Sequence, residues 1–190
     1  MPYVSVNDIQ LYYEEHGKGA PLVLVHGFSA SGRIWDDFIS AFTPNYRVIV
    51  PDLRGHGKST GHPATIHHQC FASDLLALLD HLKIRSAHFV GHSSGGMSLL
   101  FIGRDCPDRA TSLVLVSATY TFDEHAKRHM QKVAGELDLQ PEAIAESSRI
   151  HGATHGEGYW RVLRDVFLAF TENPEELPFR PQDLAEIPVP

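Results

Sequence analysis

The chain has 190 residues, 43% of them apolar and 21% charged, a balance that suits one globular domain with its own core and excludes a disordered tract. Sixteen basic against 23 acidic side chains leave a net charge of −7, which argues against nucleic acid or an anionic membrane as a partner. No stretch is long and apolar enough to cross a bilayer, Met1-Pro2-Tyr3 leads into strand-like sequence with no secretory leader, and Cys70 and Cys106 are too few for a disulfide framework. A cytoplasmic protein with reduced thiols is expected.

In chain order, Val4-Ser5-Val6 and Gln10-Leu11-Tyr12-Tyr13 alternate around Asn7-Asp8 and predict a hairpin. Leu22-Val23-Leu24-Val25 and Val48-Ile49-Val50 are unbroken apolar runs, as are His88-Phe89-Val90 and Leu113-Val114-Leu115-Val116. Runs without alternation suit strands covered on both faces, as in a parallel sheet. Helical stripes separate them. The first holds Ile34, Trp35, Phe38, Ile39 and Phe42; the second holds Phe71, Leu75, Leu78, Leu79 and Leu82, with Thr65 as an N-cap upstream. A third helix begins near Ser94, carries Met97, Leu100 and Phe101, and ends before Pro107. This alternation predicts an α/β fold with a doubly wound, mostly parallel sheet. From about Tyr120 the pattern is helical without buried strands, with Trp160, Val162, Leu163, Val166 and Phe167 on one face, and the tail from Pro174 to Pro190 is rich in proline and acid.

The segment with the strongest chemical content is Gly91-His92-Ser93-Ser94-Gly95-Gly96, set between a strand and a helix. A nucleophilic serine on such a turn needs small neighbours so that the turn can close, and the helix behind it favours developing negative charge. Val25-His26-Gly27-Phe28 follows the first parallel strand, where a second amide can join that of Ser94 in an oxyanion hole. Pro51-Asp52-Leu53-Arg54-Gly55-His56-Gly57-Lys58-Ser59 follows the next strand and reads mainly as a tight structural turn.

These three segments, in this order, resemble the α/β-hydrolase superfamily, most nearly its esterase, lactonase and C–C-bond hydrolase branch. The resemblance is close over residues 1–119, the core, and positional over 120–187, the helical cap. It implies an eight-stranded sheet, Ser93 as nucleophile, and the backbone amides of Phe28 and Ser94 as oxyanion donors. A serine, where dehalogenases and epoxide hydrolases carry a carboxylate, implies a small-molecule acyl substrate: an ester, a lactone, a thioester, or a ketone split by water. No cofactor is implied.

The resemblance also implies a triad acid and histidine further along the chain. Ala185-Glu186-Ile187-Pro188-Val189-Pro190 reads as the approach to a further strand, of which 188–190 are the start. A C-terminally truncated fold lacking two strands is therefore expected, with neither triad partner found. His26, His56 and His92 read as loop structure. His125 and His129, and likewise His151 and His155, have i,i+4 spacing, but no HExxH glutamate accompanies them; packing or solvation is expected, with no metal. Asp123 and Glu124 fall several residues late for an acid placed after the Leu113–Val116 strand. A catalytically silent fragment or binding module, and a cofactor-free perhydrolase, stand as alternatives. The uncovered Leu113–Val116 strand predicts self-association.

Overall fold

The computed structural model describes residues 3–137 and 140–190. Strands β1 (Tyr3–Val6) and β2 (Ile9–His16) form the expected antiparallel hairpin, with Asn7 at φ +47° in its turn. Beside β2 lies β4 (Tyr46–Pro51), then β3 (Ala20–Val25), β5 (Ala87–His92) and β6 (Ala110–Val116), the last four mutually parallel. The order β1-β2-β4-β3-β5-β6 sends the chain from β3 to one side and later to the other. The crevice at the carboxyl ends of β3 and β5 is thus a topological switch point, where open α/β sheets bind ligands.

Alternate residues of the inner strands enter different layers. Leu22, Leu24, Val48 and Val50 meet Trp35, Ile39 and Phe42 on the face covered by α1 (Asp36–Phe42). Val23, Val25, Ile49 and Phe89 join the main core with α2 (His68–His81) and α3 (Ser94–Asp105). Two expectations need correction. The Ile34–Phe42 stripe is broken, because Gly32–Trp35 is a 3₁₀ turn; its tighter winding rotates the pattern and leaves Ile34 and Phe38 39% and 54% exposed. Thr65 does not cap α2: it closes a 3₁₀ turn over Pro63–Thr65, and His67 is the N-cap, its Nδ1 accepting from the Cys70 amide.

Beyond β6 come α4 (Glu124–Leu137), α5 (Pro141–His155) and α6 (Tyr159–Glu172). Trp160, Leu163 and Phe170 bury the inner face of α6, and Leu163 and Phe170 extend the main core. The tail returns across the core through buried Leu177 and Phe179, forms the short α7 (Pro181–Ala185), and reaches β6, where the Leu113 amide donates to the Pro190 carbonyl. Among the described residues no helix is long and apolar enough to cross a membrane.

Candidate active site

Ser93 stands between β5 and α3 with φ +50° and ψ −119°. A side-chain-bearing residue held there costs about 1–3 kcal/mol, so its surroundings must enforce it. On one side its amide donates to the Val116 carbonyl at the end of β6, 2.8 Å away. Behind it the backbone crowds to distances that exclude a Cβ: one at Gly95 would lie 2.6 Å from the Val25 and His26 carbonyl oxygens, and one at Gly91 2.5 Å from the Gly96 nitrogen. The glycines of the motif are therefore a consequence of packing the turn against the end of β3.

The same crowding locates the loop after β3. A Cβ on Gly27 would stand 3.2 Å from the Ser93 Cβ, so the Gly27–Phe28 peptide is packed directly against the turn. That peptide is oriented from behind. The Leu53 amide donates to His26 Nε2 at 2.9 Å, which leaves the proton on Nδ1; Nδ1 donates to the Gly27 carbonyl at 2.7 Å, and the Ala30 amide adds a longer bond at 3.3 Å. Carbonyl and amide point opposite ways across one planar peptide, so anchoring Gly27 O fixes the direction of the Phe28 N–H. Among the described residues neither the Phe28 amide nor the Ser94 amide has an acceptor. Ser93, Phe28 and Ser94, picked out by motif, thus belong to one small region of the fold.

The loop after β4 supports this region. Arg54, 2% exposed, forms a two-pronged pair with Asp74 of α2 at 2.7 and 2.8 Å and reaches Asp8 of the hairpin turn and Thr65. The two carboxylates raise its already high pKa further, against the opposing effect of burial. Asp52 accepts from the Gly32 and Lys58 amides, and Gly55 and Gly57 take φ +70° and +53°. His56 packs edge-on to Phe28, 4.8 Å between ring centres. Burial holds His26 and His56 below the ordinary histidine pKa, most strongly at His56, so both are neutral.

The paired histidines divide. His151 is fully buried: Nδ1 accepts from the Gly57 amide at 2.9 Å and Nε2 donates to the Ser29 carbonyl at 3.3 Å, so both nitrogens serve the protein backbone. Burial pushes it down to about 4. His155 stacks on Tyr159 at 4.2 Å, and Tyr159 donates to the Gly55 carbonyl. Asp123 accepts from the Ala126 amide as a cap of α4. No imidazole or carboxylate among the described residues is hydrogen-bonded to Ser93 Oγ.

One buried pair escapes the sequence patterns. His68 Nδ1 and the His68 amide both bond Glu176 Oε1, and both side chains are almost wholly enclosed. Their separation of 108 residues gives no local spacing to detect.

Phe28, Ser29, Val133, Leu163, Arg164 and Phe167 wall a cavity of about 200 Å³ between the loop after β3 and helices α4 and α6, which reaches Phe28 but is not lined by Ser93 or Ser94. Another of about 390 Å³, against Tyr12, Lys58 and Arg149, touches none of Ser93, Phe28 or Ser94.

A family model described as the alpha/beta hydrolase fold matches residues 20–154. The chain belongs to the α/β-hydrolase family. This α/β-hydrolase chain is 38% identical over 172 residues to the non-heme chloroperoxidase CPO-A1 of Kitasatospora aureofaciens, a match covering 89% of this chain and 60% of that protein. Among solved structures it is similar to Est816, an N-acyl homoserine lactone degrading enzyme (28% identity, TM-score 0.64, covering 98% of this chain and 70% of that one). It shares its fold with the esterase EaEST from Exiguobacterium antarcticum (20% identity, TM-score 0.77, covering 98% and 77%). The chain therefore spans less than two thirds of the length of the curated relative.

Proposed function

We propose that the protein carrying this chain hydrolyses a carboxylic ester, lactone or related acyl compound, with Ser93 as nucleophile. The observation that carries this reading is the Ser93 backbone, forced to φ +50° at the head of α3 with the Gly27–Phe28 peptide packed against it. In this reading Ser93 Oγ attacks the acyl carbon, and the oxyanion accepts hydrogen bonds from the Phe28 and Ser94 amides. The alcohol leaves with a proton, and water releases the acid from the acyl-serine. The similarity to Est816 supports lactone chemistry. A serine at the turn argues against epoxide opening, for which relatives of this fold carry a carboxylate, and the cavity beside Phe28, apolar except for Ser29 and Arg164, supports a small, partly apolar group as substrate.

Serine at its ordinary pKa needs a base in hydrogen-bond reach. In the family's chain order the acid and histidine follow the serine, and we assign them to the part of the fold that these 190 residues do not span.

The relation to a chloroperoxidase favours a second reading on the same serine. Hydrogen peroxide in place of water would attack the acyl-serine, giving a peracid and free serine, and the peracid would oxidise halide.

The test uses the longest reading frame containing these residues. Ser93→Ala should lower p-nitrophenyl acetate turnover by at least ~10³-fold, while Ser94→Ala, which keeps its amide, should be far milder. Unchanged turnover in Ser93→Ala removes the assignment. Halide oxidation dependent on acetate and peroxide, and lost in the same variant, selects the second reading.

A further inference from the structure

The amide assigned to the oxyanion hole sits in a loop held at two carbonyls. His26 holds the one before Phe28, on Gly27. The one after it, on Ser29, is held from the cap by His151 Nε2. Ser29 has φ +59°, a conformation that a non-glycine residue keeps only when its neighbours enforce it. The other nitrogen of His151 receives the amide of Gly57, itself at φ +53°. One imidazole of α5 thus bridges two irregular loops, those after β3 and β4. Because Nδ1 is occupied as an acceptor, the proton must be on Nε2, and the bridge has a single polarity.

This imidazole is fully buried and its ring lies edge-on to His56, at 5.7 Å, which in turn packs on Phe28. A buried polar ring is costly unless both nitrogens are satisfied. An apolar side chain could fill the same space, so what the imidazole adds is the pair of loop contacts.

We propose that His151 is a positioning residue for the oxyanion hole: seated in the cap, it fixes the Ser29 peptide against the Gly57 turn and so keeps the loop from moving the Phe28 amide, oriented by the His26–Gly27 contact, away from Ser93. Seating of α5 and competence of the hole are then one event. This rests on the reading of Phe28 as an oxyanion donor.

The experiment compares H151F, which fills the space without either bond, H151N, whose Oδ1 can accept from Gly57 but whose side chain is too short to reach Ser29, and H151Q, whose Nε2 can donate to Ser29, with S93A as a parallel control. All are made in the longest reading frame containing this chain. H151F should lower kcat for a short p-nitrophenyl ester by about tenfold, a fraction of what removing a whole oxyanion donor costs, with KM within about twofold. Amide exchange at Gly57 should lose its protection in H151F and keep it in H151N, and H151Q, which restores the bond to Ser29, should recover more of kcat than H151N. H151M replaces H151F if the latter does not fold. A folded H151F or H151M with wild-type kcat overturns the proposal, as does a change confined to KM, or a folded H151Q that recovers no more of kcat than H151N. Full turnover in S93A instead removes the functional reading itself; unchanged kcat in H151F beside an inactive S93A removes only the role of His151.

Discussion

The imidazoles of His26, His56, His151 and His155 are all held below the ordinary histidine range, with burial the first cause in each. A group whose pKa is lower folded than unfolded binds fewer protons in the folded state. Its contribution to stability is complete above the unfolded value near 6.5 and is lost as pH falls toward the folded value. For His151, held at about 4, the interval from 6.5 corresponds to about 3 kcal/mol. Unfolding free energy should therefore fall between pH 6.5 and 4, and urea titrations at a series of pH values measure it. His151→Asn should flatten the slope. An identical slope in that variant would mean that the ring is not held neutral by its site.

At the scale of elements, what fastens the helices after β6 and the tail to the core is a few buried polar contacts beside apolar ones. Glu176 receives both the amide and the ring of His68 at the start of α2, where a carboxylate also meets the positive end of the helix. Leu177 and Phe179 follow it into the core, and Phe179 stacks edge-on to Phe101 at 4.9 Å. Removing the carboxylate strands two buried donors, a loss of about 2–3 kcal/mol. Glu176→Ala should lower the melting temperature and expose the tail after α6 to limited proteolysis before the sheet unfolds. Cleavage at the same rate as wild type would show that the apolar contacts hold the tail unaided. The contrast with what was legible in the sequence is instructive. Unbroken apolar runs marked the parallel strands, because both faces of β3 and β4 are covered, although the same pattern in β6 lies exposed, and glycines marked the turn at Ser93 because backbones meet there. His68 and Glu176 left no signal, since only the folded path of the tail brings them together. The 3₁₀ turn at Gly32 was hidden for a related reason: it is drawn toward Asp52, which accepts the Gly32 amide from 20 residues away. Of the proposed site, the motif residues were readable, whereas the contacts of His151 depend on where α5 rests.

At the scale of the molecule, the sheet ends differently on its two sides. On one side the hairpin of β1 and β2 closes it with a short antiparallel pair. On the other, β6 pairs inward with β5, and outward, among the described residues, only the Leu113 amide is engaged, by the Pro190 carbonyl. Val114, Leu115 and Val116 are 49%, 38% and 40% exposed, unlike the inner-strand residues Val23, Val25 and Ile49, each at 1% or less. Such a strand has the composition of a covered one without the cover, and an apolar edge with free backbone groups pairs readily with another chain. We therefore expect the 190-residue chain, expressed by itself, to associate through β6. Light scattering should report a mass well above the 21.1 kDa of one chain, rising with concentration. Leu115→Lys places a charge on the exposed edge, a device natural sheets use against edge pairing, and should shift the mass toward a single chain. Because the Ser93 amide is tied to the Val116 carbonyl, pairing at this edge touches the strand end that holds the turn. A monomeric wild-type chain would show that the contact at Pro190 is enough to block the edge. An associated Leu115→Lys would place the contact elsewhere, with exposed Phe38 on α1 the next surface to charge.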